Sequence, residues 1–368
     1  MSADDNHYMQ RCFELARKGE FNARPNPMVG CVVVGHENVI AEGWHENFGE
    51  AHAEVNALDI AGDKAVGACL YVSMEPCSHW GKTGPCVDRI IACGVSRVVF
   101  GMHDPNPLVS GSGIRKLKDS GIEVVGPVLE EEALCLNPGF IKRMQKQLPW
   151  VCCKLAMSLD GRTAMASGES KWITGPEARA DVQLWRARSD AVMTGVETVI
   201  ADDPGLDVRL EAMAVRQPLR IIVDSGLRTP PKAKIFQGPG EILLATAITS
   251  TELIEDKLQE YQDNKPQILS IPGDNGKVDL VALMSFLAKK AVCNQVMVES
   301  GSTLAGALLR AGLVDEVLTY VAPKLLGSDA RPLFTLPGID SMANHVSLQI
   351  TDVEMLGKDC RMRSRVLK

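Results

Sequence analysis

Four residues between positions 52 and 86 have the types and spacing for metal-assisted hydrolysis: His52, Glu54, Cys77 and Cys86. One imidazole and two thiolates supply three ligands, which leaves a tetrahedral zinc its fourth position for water, as a catalytic zinc requires. Glu54 lies two residues from His52 and reaches that water without binding the metal. The chemistry to expect is hydrolysis of a ring amine: a metal-activated water attacks the amino-bearing carbon while the non-ligand Glu shuttles protons. Each half of the pattern is weak alone, since His-x-Glu is common and paired cysteines are often core thiols. Together and in this order they are specific.

The elements around these residues have to bring them together. Val55, Leu58, Ile60 and Ala61 mark an amphipathic helix opening at His52, and a Gly-containing turn and an apolar strand over 68–74 follow. The cysteines then fall at the start of the next helix, 87–93, where the N-terminal dipole favours thiolate. The segment between them carries His79, Lys82 and Thr83, with Gly81 and Gly84 alongside. A point charge, a hydroxyl and close backbone approach would suit a phosphate; a solvated loop lysine is the alternative.

Around this stretch the first half alternates helix and strand, with a helix over 4–19, strands over 28–34 and 39–43, and further strands over 97–101 and 122–125. That is the pattern of a three-layer α/β domain with a central sheet. A polar helical region over 130–148 leads to Pro149, which sets a boundary between domains 1–149 and 150–368. The second half restarts with strands over 151–157, 191–195, 220–224, 241–246 and 295–299. Its helices fall over 176–188, 280–291 and 303–311, and 316–321 reads as a final strand; 230–240 and 262–277 read as loose.

At 368 residues with 45% hydrophobic and 23% charged residues, the composition is that of an ordinary globular chain. A formal net charge of -7 argues against a nucleic-acid binder built on a broad basic face, while local Arg and Lys clusters leave small anionic ligands open. The acidic start lacks the basic and apolar regions of a leader, and no apolar run approaches membrane-spanning length, so a cytoplasmic location is expected. Eleven scattered cysteines fit reduced thiols better than a disulfide framework.

Taken together, the motifs resemble the bifunctional deaminase–reductase family of riboflavin biosynthesis over nearly the whole chain. In the first half the resemblance rests on Pro25-Asn26-Pro27-Met28-Val29-Gly30, Gly43-Trp44-His45, His52-Ala53-Glu54 and the 76–86 loop. In the second it rests on the run Lys154 to Gly161, Trp172-Ile173-Thr174-Gly175, the run Thr198 to Arg209, and Glu299-Ser300-Gly301. It implies an α/β chain with a cytidine-deaminase-like first domain and a dihydrofolate-reductase-like second one. The implied reactions are zinc-dependent deamination of a pyrimidine ribosylamine phosphate, then NADPH-dependent reduction of its ribosyl group to ribityl. A small-molecule substrate and a homo-oligomer are expected, with neither nucleic acid nor membrane.

Residue by residue, the resemblance implies zinc on His52, Cys77 and Cys86 with Glu54 as proton shuttle. It puts substrate on Asn26, His45, His79, Lys82, Thr83, Asp104 and Asn106. In the reductase, Arg186 and Arg209 would clamp phosphate bidentately, Ser170 and Leu206 would complete the sugar site, and Glu299 would lie near the reacting carbon. A surface ion pair of Arg186 with Glu177 or Asp190 is the bland alternative. Cofactor contacts would come from Ala156, Trp172, Thr198, Asp202, Ser225 and the backbone of Gly301, Ser302, Thr303, Leu304, Ala305, Gly306 and Ala307. The chain departs from the family at Leu148, often basic, and Glu197, often smaller.

Two rivals remain. A tRNA-adenosine-type deaminase would share the zinc motif, but the acidic charge, the missing Cys-x-x-Cys spacing and the large second domain oppose it. A non-catalytic zinc-stabilised module would need a fourth protein ligand and no acid such as Glu54.

Overall fold

The computed structural model describes residues 3–36, 38–80, 84–106, 110–170, 173–210, 215–261 and 265–367. The chain divides into two compact units, Met1–Gln147 and Leu148–Lys368.

In the first unit a five-stranded sheet is built from β1 (Gly30–Gly35), β2 (Asn38–Trp44), β3 (Cys69–Val72), β4 (Arg97–Phe100) and β5 (Glu123–Val125), in the order β2-β1-β3-β4-β5. β1 runs antiparallel to β2 and β3, and β3, β4 and β5 are parallel. The β-branched run Val32-Val33-Val34 is buried because both faces of the sheet are covered. Cys31 and Val33 point to a core shared with α2 (Ala53–Ala61), α3 (Cys86–Ala92) and α4 (Ser112–Asp119). Val32 and Val34 point the other way, to α1 (Ala3–Arg17), α5 (Glu130–Leu136) and α6 (Pro138–Lys146). Three layers result.

Two glycines set how close the helices lie. A Cβ on Gly30 would come 2.0 Å from the Cys12 carbonyl oxygen, and one on Gly43 would come 2.6 Å from the Ala53 carbonyl oxygen and the Ala57 amide. Gly43 therefore holds the first turn of α2, which carries Glu54, against the sheet.

The second unit holds a nine-stranded sheet. Its elements in chain order are β6 (Trp150–Ser158), β7 (Arg162–Ala164), α7 (Pro176–Arg188), β8 (Ala191–Gly195), α8 (Val196–Asp202), β9 (Leu219–Val223), β10 (Ile242–Thr246), α9 (Thr251–Glu260) and β11 (Gln267–Ser270). They continue with α10 (Leu280–Lys289), β12 (Gln295–Glu299), α11 (Ser302–Arg310), β13 (Glu316–Ala322), β14 (Arg331–Pro332), β15 (Leu348–Leu356) and β16 (Asp359–Val366). The sheet order is β11-β10-β9-β8-β12-β6-β13-β16-β15, while β7 and β14 form a separate pair. Strands β11 to β13 are parallel along the sheet and only β16 and β15 are antiparallel. Val151, Cys153 and Leu155 face one core with α10 and α11, and Cys152 faces the other with α7.

The strand expected to be last, 316–321, is followed by the β15–β16 hairpin. None of the nine residues of β15 is buried, and its Asp352 and Glu354 interrupt the apolar alternation by which a strand is recognised. The stretch 262–277, expected to be loose, contains β11, an edge strand with no buried residue. The stretch 230–240 has only a short turn, yet it is pinned: fully buried Arg220 donates to the carbonyls of Ile235, Gly238 (2.8 Å) and Gly240 (3.0 Å).

Candidate functional site

His52 is the extended residue just before α2, Glu54 sits in that helix's first turn, and Cys86 is the first residue of α3. Two helix N-termini thus meet where Cys77 arrives from the loop after β3. His52 Nδ1 lies 3.2 Å from Cys86 Sγ and 3.6 Å from Cys77 Sγ, and the three donor atoms all fall within 4.8 Å of one another. An imidazole and two sulfurs in one shell, with no fourth His, Cys, Asp or Glu grouped with them among the described residues, is the donor set of a catalytic zinc.

The electrostatics agree with that fit. Cys77 and Cys86 share one hydrogen bond, which holds Cys77 well below the usual thiol range, helped by His52 and by the Cys86 amide at 3.3 Å, and pushes Cys86 well above it. The hydrogen bond to Cys77 raises His52 against the opposing effect of burial. Glu54 is 3% exposed, and burial first, then the Cys77 charge, push its carboxyl up to about 7. A carboxyl poised there accepts and returns a proton near neutral pH.

A cavity of about 250 Å³ opens on this cluster, and Asn26, His45, His79, Asp104 and Asn106 all line it. Lys82 and Thr83 lie outside the described residues. His45 is fixed on both nitrogens: Nδ1 is 3.0 Å from the Ala51 carbonyl and Nε2 is 3.1 Å from Asn26 Nδ2. The carbonyl only accepts, so Nδ1 carries the proton and Nε2 accepts from the Asn26 amide. That orients Asn26 and leaves its Oδ1 and second N–H for a ring edge.

Glu75, buried, shapes the loop carrying Asp104 and Asn106. Its carboxylate accepts from the amides of Asp104 (3.3 Å) and Gly111 (3.1 Å) and pairs with His103 (3.3 Å). The sequence reading missed Glu75, and it missed Phe140, Arg143 and Met144, which α6 contributes to the cavity wall. Their signal was the i, i+3, i+4 spacing of one helix face.

The second unit has a cavity of about 1540 Å³ along the C-terminal ends of its parallel strands. Ala156, Ser170, Arg186, Thr198, Asp202, Leu206, Arg209, Ser225, Glu299, Gly301, Ser302, Thr303, Leu304 and Ala307 line it. Trp172 lies outside the described residues. Ala305 and Gly306 are a correction: they are not on this wall. Ala305 sits in the core, and a Cβ on Gly306 would be 2.2 Å from the Thr335 carbonyl oxygen. The helical turn of α11 carries both away from the cavity.

Arg186 meets neither Glu177 nor Asp190. Its Nε and Nη2 grip Glu299 bidentately at 2.5 and 3.1 Å, and Nη1 donates to the Asp207 carbonyl at 3.0 Å. Lys154, which the sequence reading quoted only as part of a motif, adds a second cation 3.7 Å from Glu299. Burial alone would raise Glu299, but Arg186 and Lys154 outweigh it and hold the carboxyl down to about 2. Burial lowers Lys154. Arg209 is exposed, and its guanidinium has no partner among the described residues. Ser170 donates to Asp202 at 3.1 Å, the Gly301 amide donates to Thr198 Oγ1 at 3.3 Å, and Leu206 adopts φ 56°, a left-handed backbone that turns the chain into the cavity.

A dinucleotide fits this cavity on two grounds. Its volume exceeds the usual range for small-ligand pockets, and a Cβ on Gly301 would find nothing nearer than Thr198 Oγ1 at 4.0 Å, so the backbone at the start of α11 lies open.

Comparison with known proteins decides the family. Residues 2–102 match the cytidine and deoxycytidylate deaminase zinc-binding region, and residues 149–362 match the RibD C-terminal domain. The riboflavin biosynthesis protein RibD of Escherichia coli K12 is 48% identical over 366 residues, covering 96% of this chain and 97% of that one. RibD of Aquifex aeolicus is 40% identical, covering 96% of each chain. The chain belongs to the RibD family.

Solved structures agree. RibD from Acinetobacter baumannii superposes with a TM-score of 0.90 at 43% identity, covering 99% of each chain. A Thermotoga maritima protein described as a diaminohydroxyphosphoribosylaminopyrimidine deaminase/5-amino-6-(5-phosphoribosylamino)uracil reductase superposes with a TM-score of 0.86 at 33% identity, covering 99% of each. This chain is accordingly a bifunctional riboflavin-biosynthesis enzyme, a zinc-dependent deaminase and an NADPH-using reductase, with a deaminase zinc-binding region followed by a RibD C-terminal domain. No helix among the described residues is long and apolar enough to cross a membrane.

Proposed function

We propose that residues 1–149 hydrolyse the ring amine of a diaminohydroxyphosphoribosylaminopyrimidine. Residues 150–368 then reduce the resulting 5-amino-6-(5-phosphoribosylamino)uracil to its ribityl counterpart, the substrates named for the Thermotoga maritima relative. The observation that carries this reading is the convergence of His52, Cys77 and Cys86 beside buried Glu54.

His52, Cys77 and Cys86 hold the zinc, which when bound supplies the Lewis acidity that makes water nucleophilic near neutral pH. Glu54 takes the proton of the attacking water and passes it to the ring nitrogen. As the carbon–nitrogen bond breaks, Glu54 delivers the second proton to the departing amine, which leaves as ammonia. Asn26, oriented by His45, reads the ring edge, His79, Asp104 and Asn106 bind the rest of the substrate, and Lys82 and Thr83 are assigned to its phosphate.

In the second unit NADPH supplies the two electrons, and the chain positions the sugar. Ser170 and Leu206 hold the ribose. Arg209, whose guanidinium has no partner among the described residues, takes the phosphate, whereas Arg186, already engaged by Glu299, serves that site by orienting the carboxylate. Glu299 stays ionised and stabilises the carbon that gains positive character once the sugar ring opens, and the Lys154 ammonium beside it is the acid for the ring oxygen. Ala156, Trp172, Thr198, Asp202, Ser225, the Gly301–Leu304 turn and Ala307 bind the cofactor.

None of the eleven cysteines is in a disulfide, which supports a cytoplasmic site of action. The net charge of -7 supports a small-molecule rather than a nucleic-acid partner. A homo-oligomer is supported by β15, a sheet edge on which Leu348, Ile350, Val353 and Met355 are exposed. Zinc analysis of the purified protein with an ammonia assay tests the reading: one zinc per chain with ammonia release is expected, and activity without zinc would overturn it.

A further inference from the structure

The large cavity crosses the sheet in strand order, and that order assigns its ends. Ala156, in the C-terminal half of β6, and Glu299, the last residue of β12, mark the reacting end. Gly301–Thr303 lie where the pyrophosphate would sit, and β8 and then β9 follow outward. The adenosine half of a cofactor running along this wall would end at β9. There, Ser225 Oγ accepts the Val278 amide at 3.2 Å, which draws the loop before α10 onto the turn after β9. The hydrogen bond brings Lys277, next to Val278, and Arg228, three residues after Ser225, to the same end of the cavity, and both line it.

Arg228 is half exposed and gives its guanidinium to Glu197 of α8, Nη2 to Oε1 at 2.6 Å, a carboxylate that also lines the cavity. Adjacent Thr198 is tied to Gly301, so this pair is anchored to the pyrophosphate turn. An exposed ion pair of this kind is weak, and a doubly charged phosphate is a stronger bidentate partner for arginine than one carboxylate.

We propose that Arg228 and Lys277 read the 2′-phosphate of the dinucleotide, and that Glu197 is the counter-ion this phosphate displaces. The inference rests on the reductase reading of the cavity and adds its cofactor-discriminating residues. Glu197 holds the Arg228 guanidinium in the free protein, and its negative charge opposes the phosphate once that arrives. The pair therefore sets how strongly the site favours the phosphorylated cofactor.

The test is calorimetric titration of the full chain with adenosine 2′,5′-bisphosphate and with 5′-AMP. Wild type is expected to bind the bisphosphate at least about tenfold more tightly. Arg228→Ala is expected to remove most of that preference, Lys277→Ala part of it, with 5′-AMP affinity unchanged, and Glu197→Gln to tighten bisphosphate alone several-fold. Equal weakening of both ligands in Arg228→Ala, or an unchanged preference, overturns this assignment and leaves the reductase reading standing. Failure of wild type to bind either ligand overturns both.

Discussion

Each cavity contains a glutamate with little exposure, and their surroundings push the two carboxyls in opposite directions. Glu54 has sulfur and apolar neighbours and rises to about 7, whereas Glu299 is gripped by Arg186 and Lys154 and falls to about 2. The first can gain and lose a proton near neutral pH; the second is a fixed negative charge. The contrast follows the chemistry. Hydrolysis needs one carboxyl that takes up and returns protons, while a reduction whose electrons come from a cofactor needs from its carboxylate orientation and fixed charge, its one proton coming from Lys154. Size follows too, at about 250 Å³ against about 1540 Å³.

The sharpest way to break the comparison is to remove the mobile proton. Glu54→Gln is expected to cut ammonia release by roughly 10³-fold or more, as loss of a general acid–base does. Zinc content and the rate on pre-deaminated substrate should be unchanged; loss of both activities would show that the sites are not separate.

Glu299→Gln removes the fixed charge instead. Reductase activity is expected to fall by about 100-fold, because two cations are left facing each other. The native carboxyl lies below its unfolded value of about 4.3, so its stabilisation is complete above that pH and is lost as pH falls from there toward 2. Urea unfolding should show the wild type losing about 3 kcal/mol over that window and the variant losing correspondingly less. Equal losses would mean that Glu299 is not held ionised by its neighbours.

Arg209→Ala is expected to raise the reductase Michaelis constant by roughly tenfold to a hundredfold and leave the deaminase alone. Asn26→Ala should raise the deaminase constant by about tenfold without touching the reductase. A change in both activities from either substitution would blur the division between cavities.

What could be read from the sequence depended on how local the signal was. His52, Glu54 and Cys86 stand at two helix starts with Cys77 in the loop just before the second, and helix periodicity with apolar runs placed the interior strands over 191–195 and 295–299. The β15–β16 hairpin was illegible because its charged residues mask the alternation. Phe140 and Arg143 were missed because they belong to a helix more than fifty residues past Cys86, and nothing local says which face of α6 meets the cavity. Arg186 was named for the right cavity, but its pairing with Glu299 joins positions 113 apart and becomes visible only in the fold. Ala305 and Gly306 were swept in with a motif whose helical turn points them to the core.

The most direct test of two chemically distinct sites in one chain is to supply the pyrimidine ribosylamine phosphate and NADPH together and follow ammonia and NADPH in the same sample, with and without zinc removal. Ammonia should appear first, NADPH oxidation should follow, and chelation should stop both until deaminated substrate is added, which restores oxidation alone. NADPH consumption from the original substrate without ammonia would contradict the account.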